Sequence, residues 1–208
     1  MKLIIFGSTG SVGRHIVKQA LEQGHEVTAF ARKPEALGFE HDNLTLFSGD
    51  VFNPTTIKNA MKDHDAALIT LGSSKLTGDL RSTGTRNIVN AMKENGVKRL
   101  ICQTTLGAGD SVDNLNFLWR YVLFGVLLRF VMKDHIIQED IVKNSGLDWT
   151  IVRPSAFTND LAANNYQHGF DAKHKGLALK IPRVEVAEFM LKNLNNLQYI
   201  HKTPGLSY

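Results

Sequence analysis

Cys102 is the only cysteine in 208 residues. That excludes an internal disulfide framework and a cysteine-based zinc site, and it fits a reducing, cytoplasmic setting. There is no Lys/Arg tract either. The 24 Lys+Arg against 20 Asp+Glu leave a formal charge of +4 spread along the chain. A nucleic-acid partner therefore gains no support, and the modest positive excess suits an anionic small ligand. The eight histidines show no metal-ligand spacing, so no metal site is expected. With no Gly-x-Ser-x-Gly elbow, hydrolysis has no motif to rest on.

Long apolar runs are missing too. Residues 1–6 (MKLIIF) start like a signal peptide but stop at Gly7, so none is expected. The most apolar stretch, 115–132, is cut by Arg120 and Arg129. The charge-free piece between them is far short of the ~20 residues that span a bilayer. A surface-lying or substrate-covering helix is expected there, without stable membrane insertion. Internal repeats and low-complexity tracts are absent as well.

What is present is ordinary for a folded protein. Hydrophobic residues make up 43% of the chain, enough apolar surface to offset the entropy of ordering. Short β-branched runs alternate with helical periodicity. Strands are expected at 2–6, 26–31, 44–47, 65–71, 98–103 and 148–152, with a weaker one at 177–181. Helices are expected at 11–23, 54–62, 80–94, 134–144 and 184–197. Several strands are apolar almost throughout, as strands covered on both faces must be. The pattern predicts an α/β fold: a Rossmann-like, doubly wound, mainly parallel sheet with helices on both faces. One domain, 1–208, is expected, with residues about 105–175 contributing the substrate pocket.

The first strand runs directly into Gly7-Ser8-Thr9-Gly10-Ser11-Val12-Gly13-Arg14, and a helix follows. In that context Gly7 permits a tight turn, Gly10 lets a diphosphate approach the backbone, and Gly13 allows close helix packing. Thr9, Ser11 and Val12 complete the loop, and the free N–H groups at the helix start would face the anion. The second strand ends Phe30-Ala31-Arg32-Lys33-Pro34, without the acid that selects NAD. Arg32 can fork onto a 2′-phosphate, with Lys33 and Arg14 adding charge. NADP(H) is therefore the expected cofactor. Asp50 and Val51, after the third strand, are either an adenine contact or a turn beside a helix cap. Leu71, Gly72 and Ser73, after the fourth, are expected along the cofactor ribose and phosphates.

The Gly-x-x-Gly-x-x-Gly spacing resembles that of the extended and atypical short-chain dehydrogenases/reductases. Their Tyr-x-x-x-Lys pair is absent: Tyr121 is followed four residues later by Gly125, and Tyr166 by Phe170. The segment 146–154 (GLDWTIVRP) is similar to the sixth strand of the atypical members. By that family's spacing, the Lys position falls on His135, the Tyr position on Val131 and the upstream Ser on Thr104. Residues 83–96 (TGTRNIVNAMKENG), 134–147 (DHIIQEDIVKNSGL) and the C-terminal TPGLSY resemble the biliverdin IXβ reductase/flavin reductase family. The stretch 106–111 resembles NmrA-like NAD(P)-binding proteins.

The resemblance implies NADPH-dependent hydride transfer to a small planar acceptor such as a flavin, bilin or quinone-like ring. Thr104 and His135 would be the catalytic contacts, and Pro154, Ser155 and Phe157 would reach the nicotinamide. The bland alternatives are a turn hydroxyl at Thr104 and a surface histidine at 135. Phe117, Trp119, Tyr121 and Phe124 would either stack on the ligand, pack on the sheet or form a dimer surface, so the protein would be a monomer or a homodimer. Arg153 is expected to pair structurally, and Asp110-Ser111 to begin a turn or helix. A second functional reading is a non-catalytic, redox-sensing NADP(H)-binding regulator of the NmrA-like type.

Overall fold

In a computed structural model that describes residues 1–73, 76–171 and 174–208, strands and helices alternate as the periodicity requires. The order is β1 (Lys2–Phe6), α1 (Gly13–Glu22), β2 (Glu26–Ala31), β3 (Leu44–Ser48), α2 (Pro54–Ala60), β4 (Ala66–Ile69), α3 (Leu80–Asn95) and β5 (Arg99–Gln103). Then come α4 (Arg129–Lys143), β6 (Asp148–Pro154), β7 (Ala156–Thr158), β8 (Gln167–His168), β9 (Lys180–Pro182), α5 (Arg183–Lys192) and β10 (Gly205–Ser207). The central sheet runs β3-β2-β1-β4-β5-β6-β10-β8, parallel except for β8. Strand order reverses between β1 and β4, where open α/β sheets bind ligands at their carboxyl ends.

Period-two alternation sorts the strand side chains onto two cores. Leu3 and Ile5 face α1 and α5, joining Ile16, Val17, Val186 and Met190. Ile4 and Phe6 face the other way, joining Ile57, Ile88, Met92 and Val142 from α2, α3 and α4. Both faces are buried, which explains the unbroken apolar character of β1 and β4. Local signals fix the ends. Asn53 accepts the Thr56 N–H at 3.1 Å with Pro54 in the first turn of α2. Gly24 and Gly96, both at positive φ, close α1 and α3.

Three expectations shift. The helix expected from 134 begins at Arg129, because the apolar run before it is itself a π-helical turn, Leu118–Leu127, leading straight in. The helix expected to reach 197 stops at Lys192. There Arg99 draws the Asn193 and Leu194 carbonyls toward itself, and Asn193 bonds back to Phe189. The strand expected at 177–181 shrinks to β9, since Leu179 sits at φ +53°, outside extended backbone; β9 pairs with β7 in a separate two-stranded sheet. Strands β7, β8 and β10 have two or three residues each and carry no periodicity to read.

Among the described residues, no helix is long and apolar enough to cross a membrane.

Candidate functional site

The glycine loop between β1 and α1 is built by close backbone approach. Gly7 is at φ +81°, and a Cβ there would lie 2.6 Å from the Thr70 carbonyl oxygen at the end of β4. A Cβ at Gly13 would collide with the Gly7 carbonyl oxygen, so this glycine packs α1 on the loop's own first turn. Gly10 donates to Gly7 O at 2.9 Å, and Arg14 N–H to Gly10 O at 3.1 Å. The N–H groups of Ser11, Val12 and Gly13 donate to no described residue. α1 has no side-chain cap and no acid in its first turn. Three undirected donors at an uncapped helix start fit a diphosphate. Gly72, after β4, faces open space where a Cβ would stand, leaving room for a ligand to lie on its backbone. Leu71 is buried beside it. Ser73 is engaged within the protein.

At the adenosine end the expected residues divide. Arg32 and Lys33 are exposed just after β2, and neither forms an ion pair with a described residue. Arg14, expected to add charge there, has a structural task as well. Its guanidinium donates to the carbonyls of Thr9 (3.0 Å), Ala36 and Leu37 (3.3 Å), tying the glycine loop to the turn at Pro34–Leu37. Asp50 accepts the Phe52 N–H at 3.0 Å, the turn reading. Val51 is buried against Gly84 of α3, and its carbonyl accepts from Asn87 at 2.9 Å.

A cavity of about 230 Å³ opens at the carboxyl ends of β4, β5 and β6. Leu106, Leu115, Trp119, Phe124, Phe157 and Leu179 give it an apolar wall. Arg81, Gln103, Thr104, Thr105, His135 and Ser155 are its polar side chains. Sequence position alone pointed to the 105–175 stretch; Leu71, Gly72, Arg81, Gln103 and Thr104 add a wall from outside it. Trp119 and Phe124 meet edge-on at 5.8 Å between ring centroids. Phe117 and Tyr121 turn to solvent instead, so the four aromatics do not act as one set.

Thr104, 2% exposed, donates its hydroxyl to Glu139 Oε1 at 2.9 Å. Glu139 also takes two bonds from Arg153 (Nε 2.8 Å, the second nitrogen 2.6 Å) and one from Lys143 at 3.0 Å. Burial works to raise the Glu139 pKa, but the Arg153 hydrogen bonds and charge, with Lys143, hold it below the usual range. Arg153 reaches on to Asp110 at 2.6 Å, which makes it the structural pairing expected. Asp110 and Ser111 lie in the 3-10 turn Gly109–Asn114. Thr104 thus shows the cavity only lone pairs.

His135 is 7% exposed, not a surface residue. Its Nδ1 meets Gln138 Oε1 at 3.2 Å, while Gln138 donates to Thr85 at 3.0 Å. That places the ring proton on Nδ1 and leaves Nε2 as an acceptor. Burial first, then the Arg81 charge, lowers its pKa to about 4, so it is neutral at physiological pH. Its neighbour Asp134 caps α3, accepting the N–H groups of Arg81 (3.1 Å) and Ser82 (3.0 Å).

The backbone groups expected to reach the nicotinamide, at Pro154 and Ser155, already bond within the protein. Pro154 O accepts Leu106 N–H at 2.8 Å, Ser155 N–H goes to Leu206 O at 2.9 Å, and Ala156 N–H goes to Leu179 O at 3.1 Å. What Ser155 offers is its hydroxyl, buried and without a partner. Phe157 offers a ring edge, with the Arg183 guanidinium 5.2 Å from its centroid. Arg81, Gln103, Gln138 and Glu139 were missed. His135, Gln138 and Glu139 stand at i, i+3 and i+4, a helical face that the periodicity of α4 contains.

The NAD(P)H-binding family matches the chain over residues 7–197. The chain is 28% identical over 116 residues to the photosystem II assembly factor Ycf39 of Synechocystis sp., covering 53% of this chain and 35% of that one. It spans about a third of the length of curated relatives such as this. Among solved structures it superposes on ChuY, an anaerobillin reductase from Escherichia coli O157:H7, with a TM-score of 0.82 at 22% identity, over 99% of this chain and 96% of that one. A wide-type short-chain dehydrogenase/reductase from Veillonella parvula, solved with NADP, gives 0.81 at 16% identity over 100% and 94%. These likenesses are of fold.

Proposed function

The chain belongs to the NAD(P)H-binding family, and on that premise we propose that it is an NADPH-dependent reductase of a planar, conjugated acceptor of the flavin or bilin kind. The observation that carries the reading is the cavity at the sheet's carboxyl edge, lined both by aromatic and aliphatic side chains and by Gly72, Thr104 and His135. Its volume, about 230 Å³, is below the ~300–1,000 Å³ of pockets that swallow a whole drug-sized ligand. It suits the reacting ring of a larger molecule.

When bound, the nicotinamide supplies a hydride equivalent, which the acceptor takes up together with a proton. The chain's residues do the positioning. The free N–H groups of Ser11, Val12 and Gly13 would hold the diphosphate, and Arg32 with Lys33 the 2′-phosphate. His135 Nε2 would accept a ribose hydroxyl. Thr104, its own proton turned to Glu139, would accept from an amide or hydroxyl of whichever group enters. Neither Thr104 nor neutral His135 is a strong acid, which suits an acceptor whose reduced form is delocalised and takes its proton from water. Trp119 and Phe124 would cover the ring.

This reading treats the whole chain as one nucleotide-binding unit acting in a reducing compartment such as the cytoplasm. Purified protein should oxidise NADPH faster with FMN, riboflavin or biliverdin than alone, and failure across a panel of flavins, bilins and quinones would overturn it. The same weakly acidic cavity favours a second reading, a non-catalytic NADP(H) sensor. That protein would bind oxidised and reduced cofactor comparably and turn over no acceptor.

A further inference from the structure

We infer that Arg81 is the acceptor-side anion anchor of this cavity, so that the preferred acceptor is a planar ring bearing a carboxylate or phosphate. The inference rests on the reductase reading and deepens it.

The argument begins from how this chain treats its buried arginines. A guanidinium has five N–H donors, and burying them without partners is costly. Arg99 bonds to Leu194 O, Asp148 O, the Thr150 hydroxyl and Asn193 O. Arg153 is held through all three of its nitrogens by Glu139 and Asp110. Arg81 is the exception. It is 9% exposed and lines the cavity, and its Nε is buried without a partner. Its one ion pair among the described residues, to Asp134, is 3.5 Å long. Both Asp134 oxygens are already engaged by the Arg81 and Ser82 backbone N–H groups.

The charge is therefore only loosely answered, at the wall of a pocket that Leu115, Trp119 and Phe124 also line. Two more residues that line this pocket carry a buried polar atom without a partner, the Ser155 hydroxyl and Gln103 Oε1. Arg81 also bears on His135, whose depressed pKa has the Arg81 charge as its second cause after burial. A carboxylate or phosphate tethered to the acceptor ring would complete the guanidinium and leave the ring against the aromatic wall.

The test compares paired ligands on protein saturated with NADP⁺: FMN against riboflavin, and biliverdin against its dimethyl ester. Affinities are read by calorimetry and flavin fluorescence, without turnover. The wild type should favour the charged member of each pair. Arg81→Gln should weaken FMN and biliverdin roughly 10- to 100-fold, the scale of a charged hydrogen bond. It should leave riboflavin and the ester within about 2-fold, a margin that also shows the variant folded. Arg81→Lys should retain part of the preference. Equal weakening of charged and neutral ligands would overturn the inference, as would a loss of NADPH affinity with the acceptor preference intact. So would a wild type that ignores ligand charge. If no acceptor is turned over, the reductase reading fails while these binding data still decide the role of Arg81.

Discussion

Thr104 and Glu139, 35 residues apart in sequence, share a 2.9 Å hydrogen bond in which the threonine is the donor. This bond sets the polarity of the cavity. The carboxylate sits behind the threonine, fixed by Arg153 and Lys143, and the hydroxyl proton points away from any ligand. A threonine read from sequence as a catalytic contact is thus oriented as an acceptor. Exchange of Glu139 for Gln should remove that orientation and leave the buried Arg153 short of a charge. A stability loss on the order of 3 kcal/mol is expected by chemical denaturation. Unchanged stability would mean that the Asp110 pair suffices for Arg153.

Two of the buried titratable groups, His135 and Glu139, give the protein an acid weakness with separable parts. His135 ionises near 4 in the folded state against about 6.5 when unfolded. Between those values the unfolded chain binds a proton that the native one refuses, so stability falls as pH falls, by about 3 kcal/mol in all. Glu139, whose folded pKa is depressed, contributes stability above its unfolded value and loses it as pH drops through the folded one. The stability of His135→Gln should fall less steeply than that of the wild type in the upper window, where His15 and His25 also have lowered pKa values, and still decline in the lower. A histidine variant with the wild-type slope between pH about 6.5 and 4 would contradict the buried-neutral assignment.

Arg32→Ala should weaken NADPH far more than NADH, because only the former carries the 2′-phosphate that a guanidinium can fork onto. Titration of both cofactors by fluorescence decides it. Equal losses would move the 2′-phosphate contact elsewhere.

Two glycines in the phosphate region should behave differently. An alanine Cβ at Gly13 has no room against the Gly7 carbonyl, whereas one at Gly72 meets nothing within 4 Å. Gly13→Ala should therefore lower both melting temperature and cofactor affinity. Gly72→Ala should leave the melting temperature unchanged and lower affinity alone, if the cofactor lies on that backbone. An unaltered NADPH affinity in Gly72→Ala would remove Gly72 from the site.

Much of this fold was legible because its signals are local. The alternation of β1, β2 and β4 with α1 and α3 needs only apolar period and glycine stops, and the glycine loop follows its strand without a gap. What escaped depends on contacts between distant segments. Nothing near residue 192 announces that Arg99 will unwind the end of α5. Nothing in the Arg14 side chain says that Ala36 and Leu37 will absorb it. The nicotinamide-side expectation carried over through Pro154 and Ser155 met backbone groups already committed to Leu106 and Leu206. Arg81 escaped because its exceptional feature, a guanidinium with an unpartnered Nε and one long ion pair, exists only once α3, α4 and the cavity are assembled.

Arg14 has one more consequence. By joining Thr9 to the Pro34–Leu37 turn, it braces the glycine loop and the turn beyond β2, the two segments that would clamp a nucleotide on the proposed reading. Such a clamp has little backbone freedom left to surrender on docking, so more of the contact energy survives as affinity. The same brace fixes the spacing between the two segments, and on the proposed reading it would also set the span between a diphosphate on the glycine loop and a 2′-phosphate at Arg32.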